Sequence, residues 1–288
     1  MNRYNAMKLK ISHHLIYTYN NAVLLDPQLL YIYPRSLPHQ QLIDYRLTIS
    51  PSPSNVAVNL DSEGNVQQFV FFPNNEVRTL EVNVEMVLHS DDFNALNFIL
   101  FPFDTKQFPF LYDHRINKYL VPYLARTDIT AKVEQFARKI AADVNWETVP
   151  FLIQLAEYIS NDFTYEQRET GDAYSPDEIL KYRVGSCRDY SRLYISTCRS
   201  LGIAARFVSG YLFGNLLQDH ELHAWAEVYL PGAGWRGFDP TIGAAISGNH
   251  VSVAASADFN SIAPVMGSFR GNATSKLITE VDIQQIKN

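Results

Sequence analysis

Three residues in the second half of the chain have the side-chain types that nucleophilic amide chemistry uses. Cys187 follows a Gly-Ser pair, His223 starts an alternating stretch, and Asp239 precedes a Pro-Thr pair. A cysteine can attack a carbonyl carbon, a histidine can move the proton, and an aspartate can orient the histidine. The set therefore predicts a nucleophile, its base and the group that orients the base.

Cys187 is predicted to lie in the first turn of a helix. Gly185 and Ser186 interrupt the preceding segment, and apolar residues then recur at helical spacing as far as Leu201. Unpaired backbone N–H groups and the positive end of the helix dipole favour a thiolate at this position, and the same N–H groups could hold an oxyanion. The alternative is that Cys187 is a small buried hydrophobic residue.

Cys198 offers an internal comparison because it falls in the same predicted helix. It lies mid-helix on the apolar face, so we expect it to belong to the core. The two cysteines would be separated by roughly 16 Å along the helix axis, which is beyond the reach of a disulfide bond. With no other cysteine in the chain, no disulfide framework is expected.

A hairpin has to bring His223 and Asp239 together. In a strand that begins at His223, the histidine and Glu227 share the face opposite to the apolar one. If Leu230 pairs with Gly234 across the turn, Asp239 falls on the same face as His223 and diagonal to it. An even-length loop without a bulge would put Asp239 on the other face. The hairpin register is therefore a structural test of the predicted triad.

The other histidines considered do not indicate a metal site. His220 precedes His223 by three positions, but no third ligand is evident, so neither a zinc site nor any cofactor is predicted. His13 and His14 fall in a predicted strand. We interpret them as part of the surface of a β-sandwich.

Composition sets the broad class of the protein. The chain has 288 residues, 47% of them hydrophobic and 19% charged, which is typical of a globular protein of about two domains. A net charge of −6 argues against nucleic-acid binding. There is no apolar run long enough to span a membrane and no signal-like N-terminus. We therefore expect no membrane association and a cytoplasmic location.

The predicted elements indicate an α+β protein. Short apolar runs separated by turn residues over 7–88 predict an N-terminal antiparallel β-sandwich of six to eight strands, followed by a proline-broken connector. Two helices, the first capped by Asp128, precede the cysteine helix, and strands follow it. The predicted domains are 1–125, β-rich with the connector, and 126–288, a core of helices packed on an antiparallel sheet with the C-terminal strands.

Four segments of the second half closely resemble the core of the bacterial transglutaminase-like superfamily. They are Gly-Ser-Cys-Arg-Asp-Tyr at 185–190, Leu-Gly-Ile-Ala-Ala-Arg-Phe-Val-Ser-Gly-Tyr at 201–211, His-Ala-Trp-Ala-Glu-Val at 223–228 and Gly-Trp-Arg-Gly-Phe-Asp-Pro-Thr at 234–241. Segments 8–14 and 61–65 resemble the β-rich domain that precedes this core in many members. The resemblance implies a papain-like core with Cys187, His223 and Asp239 as its catalytic residues. Arg188 stands where many members have glutamine, so no oxyanion role is carried onto it.

The function expected from these observations is hydrolysis of amide bonds, peptide or isopeptide, in a peptide or protein substrate. Cysteine proteases of the transglutaminase-like type would act through an acyl-enzyme on the thiol. A transamidase with the same triad differs only in the second nucleophile, an amine in place of water. A binding module that keeps the fold without catalysis is the alternative from another class, and an intact Cys-His-Asp set argues against it.

Overall fold

The computed structural model describes residues 6–168, 173–214 and 222–287. N-terminal strands come first, five helices follow, and a second set of strands closes the chain. The first strands are β1 (Met7–Leu30), β2 (Gln40–Ser50), β3 (Asn55–Leu60), β4 (Val66–Phe71) and β5 (Glu76–Ser90). The helices are α1 (His114–Leu120), α2 (Ala131–Asp143), α3 (Thr148–Asp162), α4 (Pro176–Tyr182) and α5 (Cys187–Ser200). The later strands are β6 (Thr164–Tyr165), β7 (Val184–Gly185), β8 (Ala205–Leu212), β9 (His223–Leu230), β10 (Gly234–Asp239), β11 (Ala244–Ala245), β12 (His250–Ser256), β13 (Val265–Arg270) and β14 (Ser275–Ile286).

Strand β1 is the central strand of the N-terminal sheet and pairs with four other strands. Its 24 residues pair with β5 and β14 in the first half, and with β4 and β13 toward the end. Alternate residues such as Leu9, Ile11 and Leu15 are buried, as expected of a strand with one face in a core. The predicted antiparallel β architecture is confirmed. It takes the form of one continuous seven-stranded sheet, ordered β2-β5-β1-β4-β3 with β13 and β14 also on β1.

The last two strands belong to the N-terminal sheet. The sequence grouped all C-terminal strands with the core at 126–288, but β13 and β14 pair with β1, and only β12 joins the core sheet beside β8. Strand β5 covers one edge of β1, which leaves the other edge with unpaired backbone groups. Strand β14 satisfies them with a continuous ladder from Lys8–Ile286 to Tyr19–Ser275. The division of the chain near residue 126 stays a prediction.

The core packs helices on the sheet ordered β11-β10-β9-β8-β12. Helix α3 buries Phe151, Leu152, Leu155 and Ile159, as the helical spacing predicts. The predicted cap of the preceding helix was wrong. Thr130 caps α2 by accepting from the backbone N–H of Val133, while Asp128 receives two hydrogen bonds from Arg192 of α5. No helix among the described residues has the length and apolar character needed to cross a membrane.

Side-chain amides of the N-terminal half cover the outer edge of β12. Gln40 donates to the carbonyl of Ser252 at 2.9 Å and accepts from its N–H at 2.7 Å. Asn65 makes the same pair of bonds to Ala255, each at 2.8 Å. Because these amides replace the partners that an edge strand lacks, they join the two halves of the molecule and protect the edge from other pairing.

A buried ionic cluster also joins the two halves. Glu227 of β9 contacts Arg206 of β8 at 2.6 Å and Arg35, which follows β1, at 3.4 Å. Burial opposes ionisation of Glu227, but the two guanidinium groups outweigh it and lower the pKa of the carboxyl. Glu227 therefore carries a charge that both halves of the protein help to neutralise.

Candidate active site

Cys187 is the first residue of α5, as predicted, and is 5% exposed. The fully buried carboxylate of Asp189 accepts from the N–H of Ser186 at 2.8 Å and from its hydroxyl at 2.9 Å, which fixes the entry into the helix. A Cβ added at Gly185 would lie 2.8 Å from Asp189 Cβ and 3.1 Å from Tyr190, so glycine is required there. The thiol is thus held in the first turn of α5, at the positive end of the helix dipole.

The hairpin after His223 has the register that the triad requires. Leu230 pairs with Gly234, and the ladder continues to Ala226 opposite Phe238. The next position puts Asp239 across from Trp225, beside His223. His223 Nε2 and Asp239 Oδ2 are 2.7 Å apart. The predicted odd-length turn is confirmed.

The Cys187 side chain adjoins His223, whose pKa it raises through a hydrogen bond and its charge, and both residues line one cavity. Because Asp239 occupies Nε2 of that ring, Nδ1 is the atom left for the thiol. The structure therefore brings the three predicted residues into one hydrogen-bonded chain, although they come from α5, β9 and β10. Cys198 is fully buried in the core, as expected.

Electrostatics in this buried chain favour an ion pair. Burial alone would lower the pKa of His223, but the charge and hydrogen bond of Asp239, with a smaller contribution from Cys187, raise it to about 10. For Asp239, burial opposes ionisation, but the contacts with His223 and His250 hold the pKa of the carboxyl well below its usual range. At neutral pH the pair is therefore an imidazolium beside a carboxylate. Burial raises the pKa of the Cys198 thiol.

His250, at the start of β12, is a member of the site that the sequence did not reveal. Its Nε2 lies 3.1 Å from Asp239 Oδ2, and its Nδ1 accepts from the N–H of Ser247 at 3.1 Å. The bond from Ser247 places the ring hydrogen on Nε2, so His250 donates to Asp239. With the N–H of Thr241 donating to Oδ1 at 2.9 Å, the carboxylate receives three hydrogen bonds.

The local pattern gave no signal for the contact between His250 and Asp239. Asp239 ends β10 and His250 begins β12, and these strands lie three positions apart in the sheet. The contact depends instead on the path of the connection from Asp239 to His250, which no periodicity specifies. A histidine just before a predicted strand was visible, but the sequence did not link it to the site.

The same residues form the one group of possible metal ligands found among the described residues. His223, Asp239 and His250 have ligand atoms within 4.8 Å of one another. Both rings direct Nε2 at the same carboxylate oxygen, and His250 already uses Nδ1 as an acceptor. A metal on Nε2 of His250 would have to displace its hydrogen, so these contacts favour a hydrogen-bonded cluster. His220, weighed earlier as a ligand, lies outside the described residues.

Two family models match separate parts of the chain. Residues 134–240 match the transglutaminase-like superfamily, and residues 9–89 match the bacterial transglutaminase-like N-terminal region. The first match includes the cysteine helix and the hairpin, and the second covers most of the N-terminal sheet strands.

Known proteins and solved structures are similar to this chain over all or part of its length. An uncharacterized protein of Mycobacterium tuberculosis is 26% identical over 96% of this chain and 92% of its own length. The crystal structure of a candidate cysteine protease from Cytophaga hutchinsonii has a TM-score of 0.74 and 23% identity, covering 99% of this chain and 92% of that one, and shows the same fold. A protein-glutamine gamma-glutamyltransferase of Pseudomonas aeruginosa is 31% identical over 32% of this chain and 15% of its own. The chain therefore carries a transglutaminase-like core at 134–240, preceded by a bacterial transglutaminase-like N-terminal region at 9–89.

Proposed function

We propose that the protein hydrolyses amide bonds of a peptide or protein substrate, with Cys187 as nucleophile, His223 as base and acid, and Asp239 as the group that orients His223. The observation that carries this proposal is the continuous hydrogen-bonded chain from Cys187 through His223 to Asp239. Cys187 and His223 also line a cavity of about 370 Å³, so a substrate can reach the thiol.

The first half-reaction forms an acyl-enzyme. The Cys187 thiolate attacks the carbonyl carbon, and the carbonyl oxygen becomes an oxyanion that the N–H groups at the start of α5 can stabilise. When the C–N bond breaks, the imidazolium of His223 donates its proton to the departing amine. The substrate acyl group is then a thioester on Cys187, and His223 is neutral.

The second half-reaction restores the enzyme. Neutral His223 takes a proton from water, the resulting hydroxide adds to the thioester carbonyl, and the thiolate leaves as the carboxylic acid forms. The three hydrogen bonds to Asp239 keep that carboxylate ionised and fixed, so it holds His223 in one orientation through both steps.

Alkylation of the two cysteines tests the activated thiol. At pH 7, iodoacetamide is expected to modify Cys187 at least about ten times faster than Cys198, because the thiolate is the reactive form. Peptide mapping by mass spectrometry after timed quenching gives both rates in one sample. Replacing His223 with alanine should slow the labelling of Cys187 and leave Cys198 unchanged. Equal, slow labelling of both cysteines would contradict the proposal and favour a non-catalytic binding module.

Transamidation is the second candidate, since one relative is named a glutamyltransferase. It shares the acyl-enzyme and differs in the attacking group. With peptide amides that the protein turns over, we expect free carboxylic acid as the main product even when monodansylcadaverine is added as an amine acceptor. Mass spectrometry distinguishes the acid from the dansylated conjugate. A conjugate that dominates at low acceptor concentration would make the protein a transamidase.

A further inference from the structure

We infer that the N-terminal sheet forms one wall of the substrate-binding cleft, and that this wall binds an apolar side chain of the substrate next to the scissile amide. The inference rests on the proposed function, because it assigns a substrate class to the same site. It also gives the N-terminal region a role in substrate recognition. None of the three predicted catalytic residues comes from that region.

The cavity beside Cys187 and His223 is where the two halves of the molecule meet. Its volume of about 370 Å³ lies within the range of about 300–1,000 Å³ that is usual for ligand sites. The core contributes the start of α5 and strands β8 and β9, and residues 259–264 form another side. The N-terminal sheet contributes Val265 at the start of β13 and five residues from β1 and β14: His13, Leu15, Tyr17, Leu277 and Thr279.

These five residues belong to one face of the sheet. His13, Leu15 and Tyr17 alternate along β1, so their side chains point the same way. Leu15 pairs with Thr279 and Tyr17 pairs with Leu277, and directly paired residues of an antiparallel ladder share a face. The wall is therefore a regular surface of two adjacent strands, and its position does not depend on a loop.

His13 fixes this wall to the core. Its Nδ1 is 2.9 Å from the hydroxyl of Tyr211 in β8, and its Nε2 is 3.0 Å from the hydroxyl of Thr279 in β14. The prediction that His13 lies on the sandwich surface was wrong, since it is 1% exposed. Burial, with a contribution from His14, lowers the pKa of His13 to about 4, so the ring is neutral at pH 7. His13 therefore adds no charge to the wall.

The chemistry of the cleft indicates the kind of group it accepts. Leu15, Tyr17 and Leu277 line a cavity that is also lined by Phe259 and Ile262. Among the described lining residues there is no carboxylate. The positively charged ones are Arg168 after β6, Arg188 in α5 and the imidazolium of His223 in β9, and none of them belongs to the N-terminal sheet. Placing an apolar side chain between these surfaces removes it from water, whereas a charged one would lose its hydration without an ion partner on the wall.

Two covalent probes test the inference. They are peptidyl vinyl sulfones that differ only in the residue beside the reactive group, leucine in one and aspartate in the other. The Cys187 thiolate adds to the vinyl carbon β to the sulfone, next to the variable residue, and His223 supplies the proton to the carbon α to the sulfone. We expect the wild-type protein to react with the leucine probe at least about ten times faster, as is usual for filling an apolar pocket.

Adjacent substitutions on β14 provide a matched pair. The quantity compared is the ratio of the leucine-probe rate to the iodoacetamide rate at Cys187. Leu277→Asp is expected to lower this ratio about tenfold, because it puts a charge on the wall. Ile278→Asp is the control: Ile278 is 43% exposed on the opposite face, and its ratio should equal that of the wild type. Leu277→Ala, with circular dichroism as the check on folding, should lower the ratio about threefold or more without adding a charge.

The outcomes separate this inference from the proposed function. Iodoacetamide is small and reports the thiolate without needing the wall. Rapid labelling of Cys187 by iodoacetamide together with equal rates for the two probes, or with ratios unchanged in both Leu277 variants, would overturn the apolar wall and leave the thiol hydrolase intact. Slow labelling of Cys187 by iodoacetamide would overturn both.

Discussion

Replacing Cys187 with alanine is expected to reduce amide hydrolysis by at least about a thousandfold, because no other group in the hydrogen-bonded chain can form the acyl-enzyme. The substitution removes one atom from a residue that is 5% exposed at the start of α5, so the fold should persist. Initial rates on a library of fluorogenic peptide amides measure the loss. Circular dichroism of the same samples confirms that the variant is folded.

Cys198→Ala is the matched control for this prediction. It makes the same chemical change in the same helix, but Cys198 is fully buried and far along α5 from the hydrogen-bonded chain. Activity per folded molecule should equal that of the wild type. A Cys187→Ala variant that kept its hydrolytic rate would exclude the proposed mechanism, whatever the behaviour of the control.

Glu227→Gln is expected to lower the free energy of unfolding by about 3–5 kcal/mol, the usual cost of breaking a buried ion pair from one side. Glutamine has nearly the same shape but no charge, so Arg206 and Arg35 would keep buried guanidinium groups without the carboxylate that now neutralises them. The loss arises mainly from those uncompensated charges. Urea titrations monitored by tryptophan fluorescence give the free energy from the midpoint and slope.

An exposed ion pair serves as the comparison for Glu227. Glu85 and Arg46 lie on neighbouring strands with 3.9 Å between their charged atoms and side chains 41% and 72% exposed. Water screens such a pair, so Glu85→Gln should change the free energy of unfolding by no more than about 1 kcal/mol. Similar small losses in both variants would show that the buried cluster does not hold the two halves together.

Predictions from local pattern were accurate wherever neighbouring residues carry the information. The Gly185-Ser186 pair marks the start of α5, and alternation marks β9. The turn after Leu230 sets the register of the hairpin, which then puts Asp239 beside His223. Each of these depends on contacts within one helix or across one short turn, where backbone geometry leaves few alternatives.

Errors and omissions concern contacts between residues far apart in the chain. Asp128 was predicted to cap α2, but its carboxylate accepts hydrogen bonds from Arg192 of α5, and Thr130 caps α2 instead. Strand β14 was visible as a strand, yet its partner β1 lies at the other end of the chain. Alternation specifies which face of a strand is apolar but not which edge it will join, so sheet membership could not be predicted.

The sequence by itself determined the candidate residues for catalysis and their local settings: a cysteine at a helix start, and a histidine and an aspartate on one hairpin face, within a segment that matches the transglutaminase-like superfamily. The tertiary structure alone decided the surroundings of that chemistry. It brought His250 to Asp239 and placed the β1–β14 face, held by His13, in the cavity that Cys187 also lines. Local periodicity records burial and direction within an element, whereas a cleft between two sheets depends on how complete elements pack.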